Sequence, residues 1–299
     1  MKLASFQGGG TRGKWQAVAL QDLEIKTGQP IWKLFDLFGG TSVGAINAGL
    51  NVAGLSAVEV NSFFDRFAPE IFRASPWKVL SRLWDSAKYD PAPLEHALKA
   101  LLGERTLADC KSRFIATAVD MATGRNVYFQ SYGVSTEDES EIVIAPDSGI
   151  MLWQVLRASS AAQSYFPGFV WRDCVFWDGG STGCNAPDLL VIEEARQFCS
   201  ADQMEMISLG AGRTAWPYSG RDLINPRLRV VLESTLQIAY AGPATTQVWL
   251  ARRQLGARHH RFDPWLDGDF AIDDASKETL AALTAAAKAC PIVFDFNNL

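Results

Sequence analysis

The sequence predicts an α/β fold with a largely parallel central sheet. Three observations carry this. Short apolar runs alternate with amphipathic stretches over most of the chain, the pattern of repeated strand–helix units. The first run, residues 2–7, passes through Gly8-Gly9-Gly10-Thr11-Arg12-Gly13 into a helical pattern at 13–26. The second, residues 34–38, passes through a second glycine-rich turn into another at 43–53. A helix between successive strands is what parallel pairing requires.

Further strands are expected at 114–120, 127–131, 175–177, 204–209 and 259–262, the first four of them short runs rich in apolar or β-branched residues. Further helices are expected at 57–67, 92–102, 151–161, 189–200, 228–255 and 276–289. Several end on a glycine that can take the left-handed cap: Gly28, Gly54, Gly103 and Gly256. Residues 63–90 mix Phe and Trp with Arg and Lys and read as a helical hairpin on the sheet, or a cap that touches apolar substrate or a membrane surface. Residues 132–146 are acidic and polar and read as a surface loop. No repeat and no linker divides the chain, so residues 1–299 are expected to form one domain.

The composition removes several function classes. Net charge is −5 and no basic field could hold a nucleic-acid polymer. No stretch approaches the roughly 20 apolar residues of a membrane span, and MKLASFQGGG carries no signal-peptide core, so a cytoplasmic location is expected. Five scattered cysteines (Cys110, Cys174, Cys184, Cys199, Cys290) form no C-x-x-C pair. Neither a zinc site nor a disulfide framework is expected.

Gly8, Gly10 and Gly13 fit G-x-G-x-x-G after a strand. Such a loop can cradle a dinucleotide or aim its N–H groups at an oxyanion. The second turn decides between them. Gly40-Thr41-Ser42-Val43-Gly44 is G-x-S-x-G between strand and helix, the setting in which a sharp turn lifts a serine clear of the backbone. A dinucleotide fold wants an acidic residue at the end of that strand. Gly39–Ser42 stand there, and Asp36 is expected inside the strand, too early.

A serine nucleophile needs a base. His96 falls on an expected helix, and His259 and His260 on an expected strand without a loop to present an imidazole. The stronger candidate is Asp178 in VFWDGGSTGCNAPD, at a strand end and followed by Gly179-Gly180. A partly desolvated carboxylate there can act as general base. Arg12 is expected to brace the glycine loop or meet an anionic head group.

These blocks resemble the patatin-like phospholipases. GGGTRG (Gly8 to Gly13) resembles that family's oxyanion loop, GTSVG (Gly40 to Gly44) its nucleophile elbow, and DGG (Asp178 to Gly180) its aspartate motif. RASSAAQSYFPGF, NAP and SLGAGR also match, so the resemblance spans about residues 1–213. Two positions depart: Gln7 stands where many relatives carry Asp, and Gln163 where many carry Pro.

The resemblance implies a three-layer α/β/α sandwich and a Ser42–Asp178 dyad without histidine, metal or cofactor. It implies release of fatty acid from phospholipids or lysophospholipids through an acyl-enzyme, with peripheral membrane contact. Some bacterial relatives are switched on by cyclic nucleotides in anti-phage defence, which puts a small nucleotide among the candidate partners. A second copy of the chain is another. Carboxylesterase, thioesterase and acyltransferase activities use the same dyad and stay open.

Overall fold

The computed structural model describes residues 1–73, 87–133, 141–216, 218–220, 224, 226–268 and 270–296. Its first half alternates as expected. Strand β1 (Lys2–Phe6) leads to helix α1 (Gly13–Thr27), then a helical turn α2 (Ile31–Leu34), strand β2 (Leu37–Thr41), and helices α3 (Val43–Val52), α4 (Ala57–Ile71) and α5 (Ala92–Leu102). Strands β3 (Arg113–Asp120), β4 (Arg125–Gln130) and β5 (Ile142–Ile144) precede helix α6 (Leu152–Ser159). A hairpin of β6 (Phe169–Trp171) and β7 (Cys174–Asp178) leads to α7 (Asp188–Ala195) and β8 (Glu205–Leu209). The long helix α8 (Leu228–Leu255), β9 (His259–Phe262) and α9 (Lys277–Ala289) follow.

The main sheet runs β5-β4-β3-β2-β1-β8-β9. Five pairings are parallel and three antiparallel, so the sheet is mostly parallel. Alternation along each strand sorts side chains onto two faces. Ala4, Phe6, Phe38, Phe114, Ala116, Ile207 and Leu209 join the larger core, with residues of α1, α3, α4, α5, α6 and α9. Leu3, Leu37, Ile115 and Met206 point the other way and meet Val191, Ile192 and Ala195 of α7 and Ala251 and Leu255 of α8. Helices thus cover both faces, giving three layers.

One strand organises the site. β4 occupies one edge of β3 from Ile115 to Asp120. The other edge is shared end to end. β2 takes it in parallel over Arg113 to Thr117, and β7 takes Ala118 to Asp120 in the antiparallel sense. Thr41 therefore pairs with Thr117, and Asp178 with the next residue, Ala118.

Some expectations are corrected. β2 begins at Leu37 rather than residue 34, because Pro30 starts the turn α2, which buries Ile31 and Leu34. Asp36 thus lies before the strand, not within it, and accepts the Lys2 N–H at 2.7 Å. The expected loop at 132–146 contains β5, and β6 was not anticipated. Helix α7 spans Asp188–Ala195 and stops short of residue 200. Within the 63–90 segment, α4 continues to Ile71, while residues 74–86 of the expected hairpin or cap lie outside the described residues.

β2 is wholly buried and ends Gly-Gly-Thr because helices approach it closely. A β-carbon on Gly40 would sit 2.5 Å from the Gly44 carbonyl oxygen and 2.6 Å from the Ala45 nitrogen. Backbone atoms cannot yield as a flexible side chain does. Gly40→Ala is expected to lower the free energy of unfolding by about 1–3 kcal/mol in urea denaturation. A wild-type midpoint in that variant would show that the elbow can shift without cost.

Candidate active site

Ser42 occupies the one-residue turn between β2 and α3. Its backbone is at φ 57°, ψ −129°, a strained conformation for a residue with a side chain. Its own N–H donates to Ser159 Oγ at 3.0 Å, and its carbonyl accepts the Ile46 N–H at 3.1 Å. Ser159 is buried at the end of α6. Thr41, one residue back, shares a hydrogen bond of 2.8 Å with Thr117 and donates to the Cys184 carbonyl. The turn is therefore held from below by β3 and from the side by α6.

Asp178 ends β7 and is buried. Its Oδ1 accepts the Gly180 N–H at 2.8 Å. Its Oδ2 is enclosed and has no partner of full hydrogen-bond geometry. Burial pushes the carboxyl up to about 6, and the Ser42 hydroxyl and Gly180 N–H hold it back from rising further. The Ser42 hydroxyl and this carboxyl thus face one another.

The glycine loop lies across these two groups. A β-carbon on Gly8 would be 3.0 Å from Ser42 Cβ and 2.5 Å from Asn185 Oδ1. Four of the six expected oxyanion donors are already used. Gly8 N–H donates to Asn185 O at 2.9 Å, Thr11 N–H to Ile272 O at 2.8 Å, Arg12 N–H to Gly9 O at 3.2 Å, and Gly13 N–H to the Gly10 and Thr11 carbonyls. Among the described residues the Gly9 and Gly10 N–H groups meet no acceptor. Gly10 has φ +58°, and a β-carbon there would lie 1.9 Å from Ile272 O. Only glycine fits.

A strap from the C-terminal third holds the loop. Besides the Ile272 contact, Arg12 Nε donates to Phe270 O at 3.0 Å and Thr11 Oγ1 to Ala271 O at 3.4 Å. Asp273, next in the strap, accepts from Lys88 Nζ and from Tyr89 OH at 2.7 Å. Burial and the Asp273 carboxylate push the Tyr89 phenol up to about 12, against the opposing pull of Lys88. Arg12 thus braces the loop, as one of its two expected roles required.

The residues that depart from the family pattern are also engaged. Gln7 Oε1 accepts from Arg261, whose guanidinium also bonds Ser208 Oγ at 2.8 Å and Asp263 Oδ2 at 2.9 Å. Gln163 links three elements. Its Nε2 donates to Ser181 Oγ at 2.8 Å, and its Oε1 accepts from Tyr240 OH at 2.6 Å. Ser181 Oγ in turn donates to the Asp178 carbonyl at 2.9 Å. Sequence alone marked Gln163 as unusual but gave no sign of Tyr240, 77 residues away on α8. The Tyr240 ring also lies on Gly180, where a β-carbon would be 2.7 Å from Cε1.

The histidines lie elsewhere. His96 is exposed on α5. His260 bonds Glu205 at 2.9 Å. His259 is buried on β9, and its Nε2 meets Asp188 Oδ2 at 2.8 Å, while Ser5 Oγ donates to Asp188 Oδ1 at 2.6 Å. Serine, aspartate and histidine meet here, but both partners bond the carboxylate rather than each other, and all three are enclosed. Burial alone would raise the Asp188 carboxyl; the His259 hydrogen bond and the Arg261 charge hold it below the usual range. This cluster ties β1, α7 and β9 together.

A family model described as patatin-like phospholipase matches residues 4–189. The chain belongs to the patatin-like phospholipase family. Within that family it is 33% identical over 206 residues to a cGAMP-activated phospholipase of Pseudomonas aeruginosa (strain BWHPSA011 / Pa011), covering 68% of this chain and 59% of the relative. It is 30% identical over 241 residues to a cGAMP-activated phospholipase of Vibrio cholerae, covering 73% and 66%. It is 28% identical over 224 residues to the human calcium-independent phospholipase A2-gamma, covering 71% and 28%. The chain thus spans only part of these patatin-like relatives. A looser structural likeness, TM-score 0.46 at 12% identity, relates it to VipD from Legionella pneumophila over 96% of this chain and 66% of the other.

The Asp188 cluster and the strut to α8 give separable outcomes. His259→Gln is expected to lower the melting temperature by several degrees, because it disturbs a buried hydrogen bond to the Asp188 carboxylate, while turnover per folded molecule stays within twofold. Tyr240→Phe is expected to lower kcat about tenfold, with KM changed less than twofold, if the strut sets the aim of Asp178. Steady-state kinetics beside a melting curve checks both.

Proposed function

We propose that this chain is a serine lipid acyl hydrolase that releases fatty acids from phospholipids or lysophospholipids. The observation that carries the reading is the meeting of a strained Ser42 with the enclosed carboxyl of Asp178, the strands that carry them ending against adjacent residues of β3. Family membership supports lipid ester as the substrate class.

In this reading Asp178 takes the proton of Ser42 Oγ as that oxygen attacks the ester carbonyl carbon. The carbonyl oxygen becomes an oxyanion facing the N–H groups of Gly9 and Gly10, near the N-terminus of α1. Collapse expels the lysolipid or glycerol oxygen, which takes the proton back from Asp178. An acyl-enzyme on Ser42 remains. Water then attacks it with Asp178 again as base, the acyl bond to Ser42 Oγ breaks, Oγ takes the proton back from Asp178, and fatty acid leaves. No histidine takes part. The same steps would serve a carboxylesterase, a thioesterase or, with an alcohol in place of water, an acyltransferase. A panel of chain lengths and head groups separates them.

A ligand requirement is a second reading, favoured by two of the relatives being described as cGAMP-activated. Fatty-acid release from mixed phospholipid vesicles, with and without a panel of cyclic dinucleotides, tests both. Ser42→Ala and Asp178→Asn are each expected to lower release at least a thousandfold, while a His259→Gln/His260→Gln double variant retains it. Full activity in Ser42→Ala would end the hydrolase reading. Equal release with and without every nucleotide would end the second.

The raised carboxyl of Asp178 makes two further predictions. The base works only when ionised, so kcat/KM should fall below an inflection near pH 6. The stability effect has the opposite sign. Between the ordinary carboxylate range and pH 6 the folded chain retains a proton that the unfolded chain has lost, so stability falls as pH rises through that window. At pH 7 the buried charge costs on the order of 2–3 kcal/mol. Asp178→Asn should therefore be inactive yet more stable than wild type at pH 7, with the gap closing by pH 4. Urea denaturation at the two pH values reads it.

A further inference from the structure

Among the described residues, helix α8 carries an exposed apolar face. Leu228 is 74% exposed, Val231 39%, Ile238 55% and Trp249 54%. At 3.6 residues per turn these four fall within an arc of about 80°. The buried residues Ala244, Ala251 and Leu255 lie on the opposite side, about 160° away. Thr235 and Gly242 fill the exposed arc between them, so no charge interrupts it over more than twenty residues.

The helix is also placed at the site. Tyr240 rests on Gly180 beside Asp178, while Ala251 and Leu255 pack with Leu3 and Leu37 at the far ends of their strands. Residues before Tyr240 therefore project past the end of the sheet that holds Ser42. From Leu228 to Tyr240 the projection is about 18 Å.

Charge selects the occupant. The chain carries a net charge of −5, yet residues 227–258 contain five arginines and one glutamate. Arg227, Arg252 and Arg253 are exposed at the two ends of the apolar arc, and the Arg253 guanidinium lies 5.1 Å from the centre of the Trp249 ring. A second copy of the helix is the competing occupant, since positions 228, 231, 235, 238, 242, 245 and 249 follow coiled-coil spacing. The positions flanking that stripe include Arg227 and Arg253 and no carboxylate, so self-pairing brings no opposite charge to the arginines. An anionic lipid surface answers both the apolar arc and the basic ends.

We propose that the outer face of α8 docks the protein on an anionic phospholipid bilayer, beside the site. The proposal rests on the lipid hydrolase reading for its purpose, but the docking is testable without catalysis. α8 lies on the surface rather than crossing it; among the described residues no helix is long and apolar enough to span a membrane.

The test uses the Ser42→Ala chain and vesicles of phosphatidylcholine alone or mixed with phosphatidylglycerol. Co-sedimentation should show at least tenfold tighter binding to the mixed vesicles, weakening as salt is raised. Val231→Glu/Ile238→Glu should lower that binding at least tenfold. Arg252→Gln/Arg253→Gln should lower it about fivefold per arginine, without loss of fold by circular dichroism. In the chain with Ser42 restored, both double variants should hydrolyse a soluble short-chain ester within twofold of wild type and vesicle lipid at least tenfold more slowly. Unchanged vesicle binding in both double variants overturns the proposal, as does a wild type that ignores anionic vesicles. So does a wild-type dimer that Ile238→Glu converts to monomer, which would assign the face to a second copy. Absence of all ester hydrolysis would instead defeat the hydrolase reading and leave the binding result standing.

Discussion

The site depends on how strand β3 divides one of its edges. β2 and β7 arrive from opposite directions and stop against neighbouring residues, Thr117 and Ala118. Neighbouring positions along a strand differ by about 3.3 Å. The ends of the two strands are therefore brought together by backbone hydrogen bonds rather than by loop packing. Side chains confirm the alignment locally: the Thr41 and Thr117 hydroxyls share a hydrogen bond, and position 179, next to Asp178, takes glycine because a β-carbon there would strike Thr117.

Two unfavourable features sit on this rigid support. Ser42 holds a backbone conformation that costs about 1–3 kcal/mol, and Asp178 holds its carboxyl where water cannot solvate its charge. Neither persists unless the surroundings over-determine it. Large cores on both faces of the sheet do so, with Phe38 and Phe114 on one side and Leu37 and Ile115 on the other. The desolvation that weakens the fold at neutral pH is the same property that moves the carboxyl toward the range useful for a base.

Much of this was legible in the chain. Alternating apolar runs located β1, β8 and most helices, and the two glycine-rich turns located Ser42 and the loop facing it. What was not legible depends on distance in sequence. The start of β2 was misread because Leu34 and Phe35 look like strand residues, while Pro30 commits the segment to a turn first. Short strands such as β5 and β6 carry too few residues for periodicity to register. The glycine loop showed six candidate donors, and only the fold reveals that Asn185 and Ile272 engage two of them. Tyr240 could not be anticipated, since a tyrosine on a long helix carries no sign of the glutamine it meets.

The strap at residues 270–273 has a consequence for the order in which the protein matures. Ser42 and Asp178 leave the ribosome before the strap, and the carbonyls of Phe270, Ala271 and Ile272 that orient the glycine loop are made more than ninety residues after Asp178. A nascent chain can pair β1, β2 and β3 and still lack the clamp on Thr11 and Arg12. Translation thus works as a timer: the glycine loop facing Ser42 takes its final form only after residues 270–273 have been made, long after both Ser42 and Asp178.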